Sequence, residues 1–254
     1  MTYTISDLHG CYDEFMEMLE LINFGPTDKL YILGDVVDRG DQSLECLQYI
    51  MRTKNITLLA GNHEVLMLDY FNNRENAADR WFRNGGQATL GQLQALGTDE
   101  CNKVLQYVRK LKFYKTLTVN KRRFFLSHAG YEASSPITKQ TERNLTWSRD
   151  EFYKYPANNK YIAVFGHTPT VSLRKSLLSD PQGPERDIIT DCSVWVDEQF
   201  KDKICIDSGC YYKGALAALR LDDGAVYYVK SSANTGLYSY GLNSNNSLND
   251  IFVP

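Results

Sequence analysis

The chain has 254 residues, a net charge of −3, and 43% hydrophobic, 12% aromatic and 23% charged residues. These are globular proportions with enough apolar content for a large core. The mild acidity leaves no basic footprint for nucleic acid or an acidic membrane surface, and no apolar run approaches the ~20 residues of a membrane span. The first strand-like run, Tyr3-Thr4-Ile5, starts with no basic-then-apolar leader before it, so no signal peptide is expected. Six cysteines (Cys11, Cys46, Cys101, Cys192, Cys205, Cys210) form no C-x-x-C pair. They read as reduced thiols of a cytoplasmic protein.

Short apolar runs, each ending in a turn, recur along the chain. Tyr3-Thr4-Ile5 precedes Asp7, Leu30-Tyr31-Ile32-Leu33 precedes Asp35, and Ile56-Thr57-Leu58-Leu59-Ala60 precedes Asn62. Phe124-Phe125-Leu126 precedes His128, Tyr161-Ile162-Ala163-Val164-Phe165 precedes His167, and Ile204-Cys205-Ile206 precedes Asp207. Such runs read as buried strands. Phe15, Leu19 and Ile22, then Leu44, Leu47 and Met51, have the spacing of helix faces. Strands alternating with helices predict a largely parallel α/β sheet, with ligands beyond the carboxyl ends of its strands. Residues 65–112 read as a helical cap broken at Trp81-Phe82-Arg83-Asn84-Gly85-Gly86, and residues 172–203 as an excursion over the core. Ala215–Leu221 and Ala225–Val229, around Asp222-Asp223-Gly224, read as a closing hairpin. The tail after Ser231 keeps Leu237, Tyr238, Tyr240 and Phe252 and is expected to drape over the body of a single domain spanning residues 1–254.

All four histidines fall in short motifs at these turns: Ser6-Asp7-Leu8-His9-Gly10, Gly61-Asn62-His63-Glu64, His128-Ala129-Gly130 and Gly166-His167-Thr168. A fifth motif, Gly34-Asp35-Val36-Val37-Asp38-Arg39-Gly40, adds two carboxylates and an arginine. Asp7 and His9 can reach one metal, Asp35 can bridge two with its two oxygens, and Asn62, His128 and His167 can hold the second. This oxygen and nitrogen set suits Mn, Fe, Zn or Co better than Ca or Mg. A metal pair of this kind polarises a phosphoryl oxygen and makes hydroxide from water near neutral pH. His63 is left over. Held by Asp38, it would be a general acid for the leaving alkoxide, and Arg39 would grip phosphate with its planar fork.

The ordered set D-x-H, G-D-x-x-D-R-G, G-N-H-E resembles the phosphoprotein phosphatase family of dinuclear metallophosphoesterases, in its compact bacterial and phage form. The match covers residues 5–64, then 126–130, 164–169 and 204–209. The resemblance implies a calcineurin-like four-layer α/β/β/α sandwich of mixed sheets, so the parallel reading would hold only locally. It places Asp7, His9 and Asp35 on one divalent metal and Asp35, Asn62, His128 and His167 on the other, with Mn first and Fe or Zn as alternatives. It makes His63 the acid backed by Asp38 and puts Arg39 on the phosphate. Thr146-Trp147-Ser148-Arg149 looks like the family's second phosphate-binding element, which offers Arg149, with Arg143 as a weaker choice.

The implied activity is that of a serine/threonine protein phosphatase, hydrolysing phosphomonoesters by direct attack of a metal-activated water. The alternative is a symmetrical diadenosine tetraphosphate hydrolase or another small-molecule phosphoesterase. Enzymes of that branch typically carry alanine where this chain has Asp38, and their nucleotide leaving group needs less protonation. The expected partner is a phosphorylated protein or small phosphoester, not nucleic acid or membrane. A non-catalytic scaffold would be expected to lose the acid or a ligand, and none is missing. Ser6 stands where the family has glycine, with little effect expected. Glu64 reads as a favourable helix start, Asp207-Ser208-Gly209 as packing that orients a histidine, Tyr211 and Tyr212 as core or surface packing residues with lining of the mouth as the alternative, and Trp81 and Phe82 as core of the cap.

Overall fold

The computed structural model describes residues 1–157, 160–240, 248 and 251–252. In chain order the elements are β1 (Thr2–Ile5), α1 (Tyr12–Leu21), β2 (Lys29–Ile32), α2 (Ser43–Arg52), β3 (Ile56–Leu58), α3 (Asn62–Phe71), α4 (Ala77–Arg83), α5 (Gly86–Ala95) and α6 (Thr98–Val108). There follow β4 (Tyr114–Val119), β5 (Arg122–Ser127), α7 (Glu142–Trp147), α8 (Asp150–Lys154), β6 (Ile162–Phe165), α9 (Thr170–Ser176), α10 (Glu185–Ile188), β7 (Trp195–Val196), β8 (Lys203–Cys205), β9 (Ala215–Arg220) and β10 (Val226–Lys230).

The strands form two five-stranded sheets, ordered β10-β9-β1-β2-β3 and β4-β5-β6-β8-β7. Strand alternation explains how they stack. In β2, Leu30 and Ile32 face the α1–α2 layer, while Tyr31 and the following Leu33 enter a core between the sheets. In β5 and β6, Phe124, Leu126 and Val164 enter that inter-sheet core, while Phe125, Ala163 and Phe165 face the α7–α9 side. In β9, Ala217 and Leu219 face inward and Leu216 and Ala218 outward. Both sheets are thus buried on both faces, which gives the four layers α/β/β/α.

The expectation of a largely parallel sheet is corrected here. Each sheet has a parallel trio, β1-β2-β3 and β5-β6-β8. Antiparallel strands flank each trio: β9 and β10 in the first sheet, β4 and β7 in the second. The flanking strands are reached through hairpins or an excursion, which need no helical crossover. Strand β4 has no counterpart among the runs read from sequence, because its faces are at best half-buried and its apolar pattern is weak. The break placed at residues 81–86 begins later: Trp81 to Arg83 lie inside α4, and the chain turns at Asn84 and Gly85 (φ +93°). In the tail, Leu248, Ile251 and Phe252 pack on the inter-sheet core, and the remaining residues beyond 240 lie outside the described residues. Among the described residues, no helix is long and apolar enough to cross a membrane.

Registers Ile5↔Ile32↔Leu58 and Phe165↔Cys205 bring the carboxyl ends of each parallel trio level. Hydrogen bonds cross from one sheet to the other at this edge: the His167 amide donates to the Asp7 carboxylate (3.0 Å) and His128 Nδ1 donates to the Leu33 carbonyl (2.8 Å). The motif turns of both sheets therefore share one cleft.

Candidate active site

The cleft turns need conformations that side chains rarely adopt. Asp7, His9, Asp35, Asp38, Arg39 and His167 all have positive φ, between 44° and 73°. Such strain clusters at functional sites and persists where neighbours over-determine it. At Gly34 (φ +92°), an added Cβ would lie 2.5 Å from the Gly61 backbone. Two glycines thus let the Asp35 and Asn62 turns touch.

Glu64 holds those turns together, a role beyond the helix start read from sequence. It is fully buried, and its carboxylate accepts from the amides of Asp35 (2.9 Å), Val36 (2.8 Å), Val37 (3.4 Å) and Gly61 (2.8 Å). Burial and the nearby Asp35 raise its pKa, while these amides pull it down. Ser6 also has more effect than expected. Its buried hydroxyl donates to Asp7 Oδ2 in a short contact.

Asp35 sits at the centre. Its Oδ2 lies 3.3 Å from His128 Nε2, 3.6 Å from His9 Nε2 and 3.8 Å from His63 Nε2. Donor atoms of His9, Asp35 and His63 lie within 4.8 Å of one another, as do those of Asp35, His128 and His167, so Asp35 belongs to both groups. Asn62 Oδ1 joins the second group, 2.9 Å from His128 Nε2, and His167 Nδ1 is 3.1 Å from that nitrogen. His128 Nδ1 donates to Leu33 and His9 Nδ1 to the Val37 carbonyl (2.9 Å), which turns each Nε2 toward the cleft, where that of His9 accepts from the Arg39 guanidinium. Buried His167 Nε2 has no hydrogen-bond partner. Lone pairs crowded around one carboxylate call for cations between them, so this donor set fits two divalent metals. Asp7 lies outside both groups, with its oxygens taken by Ser6 and the His167 amide, on the wall of the same cleft.

The electrostatics favour a charged Asp35 and neutral His9 and His167, while His128 holds a proton that a cation would displace. Burial opposes ionisation of Asp35, but His128 and His63 outweigh it and hold its carboxyl well below the usual range. Burial likewise opposes protonation of His128, but Asp35 pushes its pKa up to about 9. Burial drives His9 and His167 well below the ordinary imidazole value, which keeps them neutral and able to ligate.

His63 is held differently. Its Nδ1 lies 2.7 Å from Asp38 Oδ2, and its Nε2 is 2.9 Å from Arg39 Nη2. Asp38 Oδ2 also accepts from the Trp81 indole (2.8 Å). Trp81 is core, as read, and in addition anchors this dyad.

Arg39 and Arg149 line one cavity of about 140 Å³ with Asp7, His9, His167 and Asp207. Arg149 donates to Thr168 Oγ1 (2.7 Å), and Trp147 packs edge-on against His167 at 5.6 Å. Arg143 is exposed and does not line the cavity. Tyr211 and Tyr212 also line it, the alternative to the packing role favoured for them. Both are exposed, and the Arg39 guanidinium sits 5.1 Å over the Tyr212 ring. Asp207 holds its own turn through the Gly209 amide (2.9 Å) rather than orienting a histidine.

The family model for calcineurin-like phosphoesterases matches residues 2–208. The chain belongs to that family. It is 28% identical to serine/threonine-protein phosphatase 2 of Salmonella typhimurium over 174 residues, 65% of this chain and 78% of that one. It is 48% identical to the symmetrical bis(5'-nucleosyl)-tetraphosphatase of Haemophilus influenzae over 69 residues, 26% of this chain. That match spans about a quarter (25%) of the Haemophilus protein's own length. Among solved structures, a candidate diadenosine tetraphosphatase superposes with TM-score 0.64 at 20% identity, covering 91% of this chain and 93% of that one. A serine/threonine phosphatase from Saccharomyces cerevisiae superposes with TM-score 0.51 at 16% identity, covering 91% and 79%. These structural likenesses bear on the fold. The chain has relatives of both names.

Proposed function

We propose that the chain is a metal-dependent serine/threonine protein phosphatase that hydrolyses phosphomonoesters by direct attack of water, with no phosphoenzyme. The observation that carries this reading is the 2.7 Å contact between His63 Nδ1 and Asp38 Oδ2. An alkoxide leaving from phosphoserine or phosphothreonine needs a proton, whereas a nucleotide leaving group needs one far less.

In this reading Asp7, His9 and Asp35 hold one divalent ion, and Asp35, Asn62, His128 and His167 hold the other, with Mn first and Fe or Zn also suited to the donors. When bound, the ions polarise the phosphoryl oxygens and supply a water acidic enough to attack near neutral pH. Arg39 and Arg149 grip the phosphoryl oxygens from two sides of their shared cavity. Asp38 accepts the Nδ1 proton of His63, which favours the imidazolium form, and a second proton taken up at Nε2, where the Arg39 guanidinium now donates, would be the one given away. Trp81 keeps Asp38 from swinging off that nitrogen. Residues 1–254 act as one domain with the 65–112 segment as its cap, and the six free thiols support a cytoplasmic place.

One observation favours a second reading, symmetrical diadenosine tetraphosphate hydrolysis. The exposed Tyr211–Tyr212 pair at the mouth, with ring centroids 5.5 Å apart, offers faces on which a base can stack. Phosphate release by the Mn-reconstituted protein, with a phosphothreonine peptide and diadenosine tetraphosphate side by side, separates the two. Preference for the peptide is expected. Preference for the dinucleotide would install the second reading.

A further inference from the structure

A second cluster of donor side chains lies beside the mouth of the cleft, and the proposed hydrolysis uses none of it. Cys11 Sγ, a Glu14 carboxylate oxygen and Cys210 Sγ all lie within 4.8 Å of one another. Cys11 follows the Asp7–Gly10 turn, Glu14 is in the first turn of α1, and Cys210 directly precedes Tyr211. Parts of the chain about 200 residues apart in sequence are thus brought together by the fold.

Glu14 and Cys210 are buried, at 7% and 2% exposure, while half-buried Cys11 reaches an open cavity of about 340 Å³ that Glu14 also lines. The Glu14 carboxylate accepts from the Ser232 amide (2.8 Å), and among the described residues no lysine, arginine or histidine pairs with it. A carboxylate withdrawn from water without a cation is costly. Here two sulfurs lie within 4.8 Å of it.

We propose that Cys11, Glu14 and Cys210 form a second cation site, which takes one thiophilic divalent ion of the zinc class. Two sulfurs and one oxygen supply three of four tetrahedral positions, and the 340 Å³ cavity leaves the fourth open to water. Thiolates select Zn over Mn, whereas the catalytic donors are oxygen and nitrogen only, so the two sites sort metals by ligand softness. Binding releases one proton from each thiol to solvent, and the filled site carries two thiolates, one carboxylate and one dication. The ion would tie the start of α1 to the loop bearing Tyr211 and Tyr212. The proposal stands apart from the choice of phosphoester substrate.

Cobalt titration of the full chain under reducing conditions tests it. Thiolate ligands give a near-ultraviolet charge-transfer absorption with cobalt that the catalytic oxygen and nitrogen donors do not give. The expected result is a band that saturates with one cobalt, is abolished by excess zinc and survives excess manganese. It should be absent in C11S and C210S, need at least about tenfold more cobalt in Glu14→Gln, and be unchanged in C101S, whose cysteine lies on α6 outside the cluster. A wild-type protein with no such band would overturn the proposal, as would a band that persists in both C11S and C210S. So would a purified protein whose Cys11 and Cys210 are joined as a disulfide, because the pair would then be a redox couple.

Discussion

The Asp35 side of the cleft and the Tyr212 side are built to different tolerances. On the first, Asp35, Asp38, His63 and Glu64 are each at most 2% exposed and tied to several named partners. On the second, Tyr211 and Tyr212 are 39% and 47% exposed, and Arg149, also exposed, is held by a hydrogen bond to Thr168. Buried polar groups are expensive unless fully satisfied, so the first side tolerates few substitutions. The second side keeps rotamer freedom and can be changed cheaply. The contrast suggests that chemistry is fixed by the locked side and substrate choice by the loose one.

Substitutions on each side sharpen or break that contrast. Asp35→Asn removes the charge shared by both donor groups. It should abolish tight binding of two metals in calorimetric titration and lower kcat by about 10³-fold or more. Glu64→Gln swaps an acceptor for an amide that faces backbone N–H groups. It should cost about 2–4 kcal/mol, read as a thermal midpoint lower by roughly 10 °C, with weaker metal binding as the Asp35 turn loosens. Trp81→Phe keeps the core ring but drops the hydrogen bond to Asp38. It should lower kcat about tenfold with little change in KM. Tyr212→Ala removes a ring under Arg39 and should raise KM only about two- to fivefold with kcat kept. A Tyr212→Ala variant with kcat as low as Trp81→Phe would break the division between the two sides.

The same contrast marks how far the sequence could be read. The motif turns were legible because each follows a short apolar strand, and strand ends in such folds converge. His9, Asp35, Asn62, His128 and His167 meet as the motif spacing implies. Glu64 was underread because a helix-start glutamate looks the same whether it faces solvent or clamps a neighbouring turn. Trp81 was read only as core, because its indole reaches an aspartate 43 positions away, a tertiary contact with no local signal. For Tyr211 and Tyr212 the sequence leaves packing and lining of the mouth both open, because exposure is not periodic in a turn. The apolar runs alone point to parallel strands because the parallel trios hold the strongest of them, while half-buried β4 leaves a faint pattern; the mixed sheets are legible only through the family resemblance.

The central claim is that His63, fixed by Asp38, protonates the leaving oxygen. The most direct test compares His63→Asn with the parent on a phosphothreonine peptide and on an aryl phosphate with a good leaving group. The account predicts a fall in kcat of about 10²–10³-fold on the peptide and less than about tenfold on the aryl ester. Equal losses on both substrates would contradict it and leave His63 as a binding or ligating residue instead.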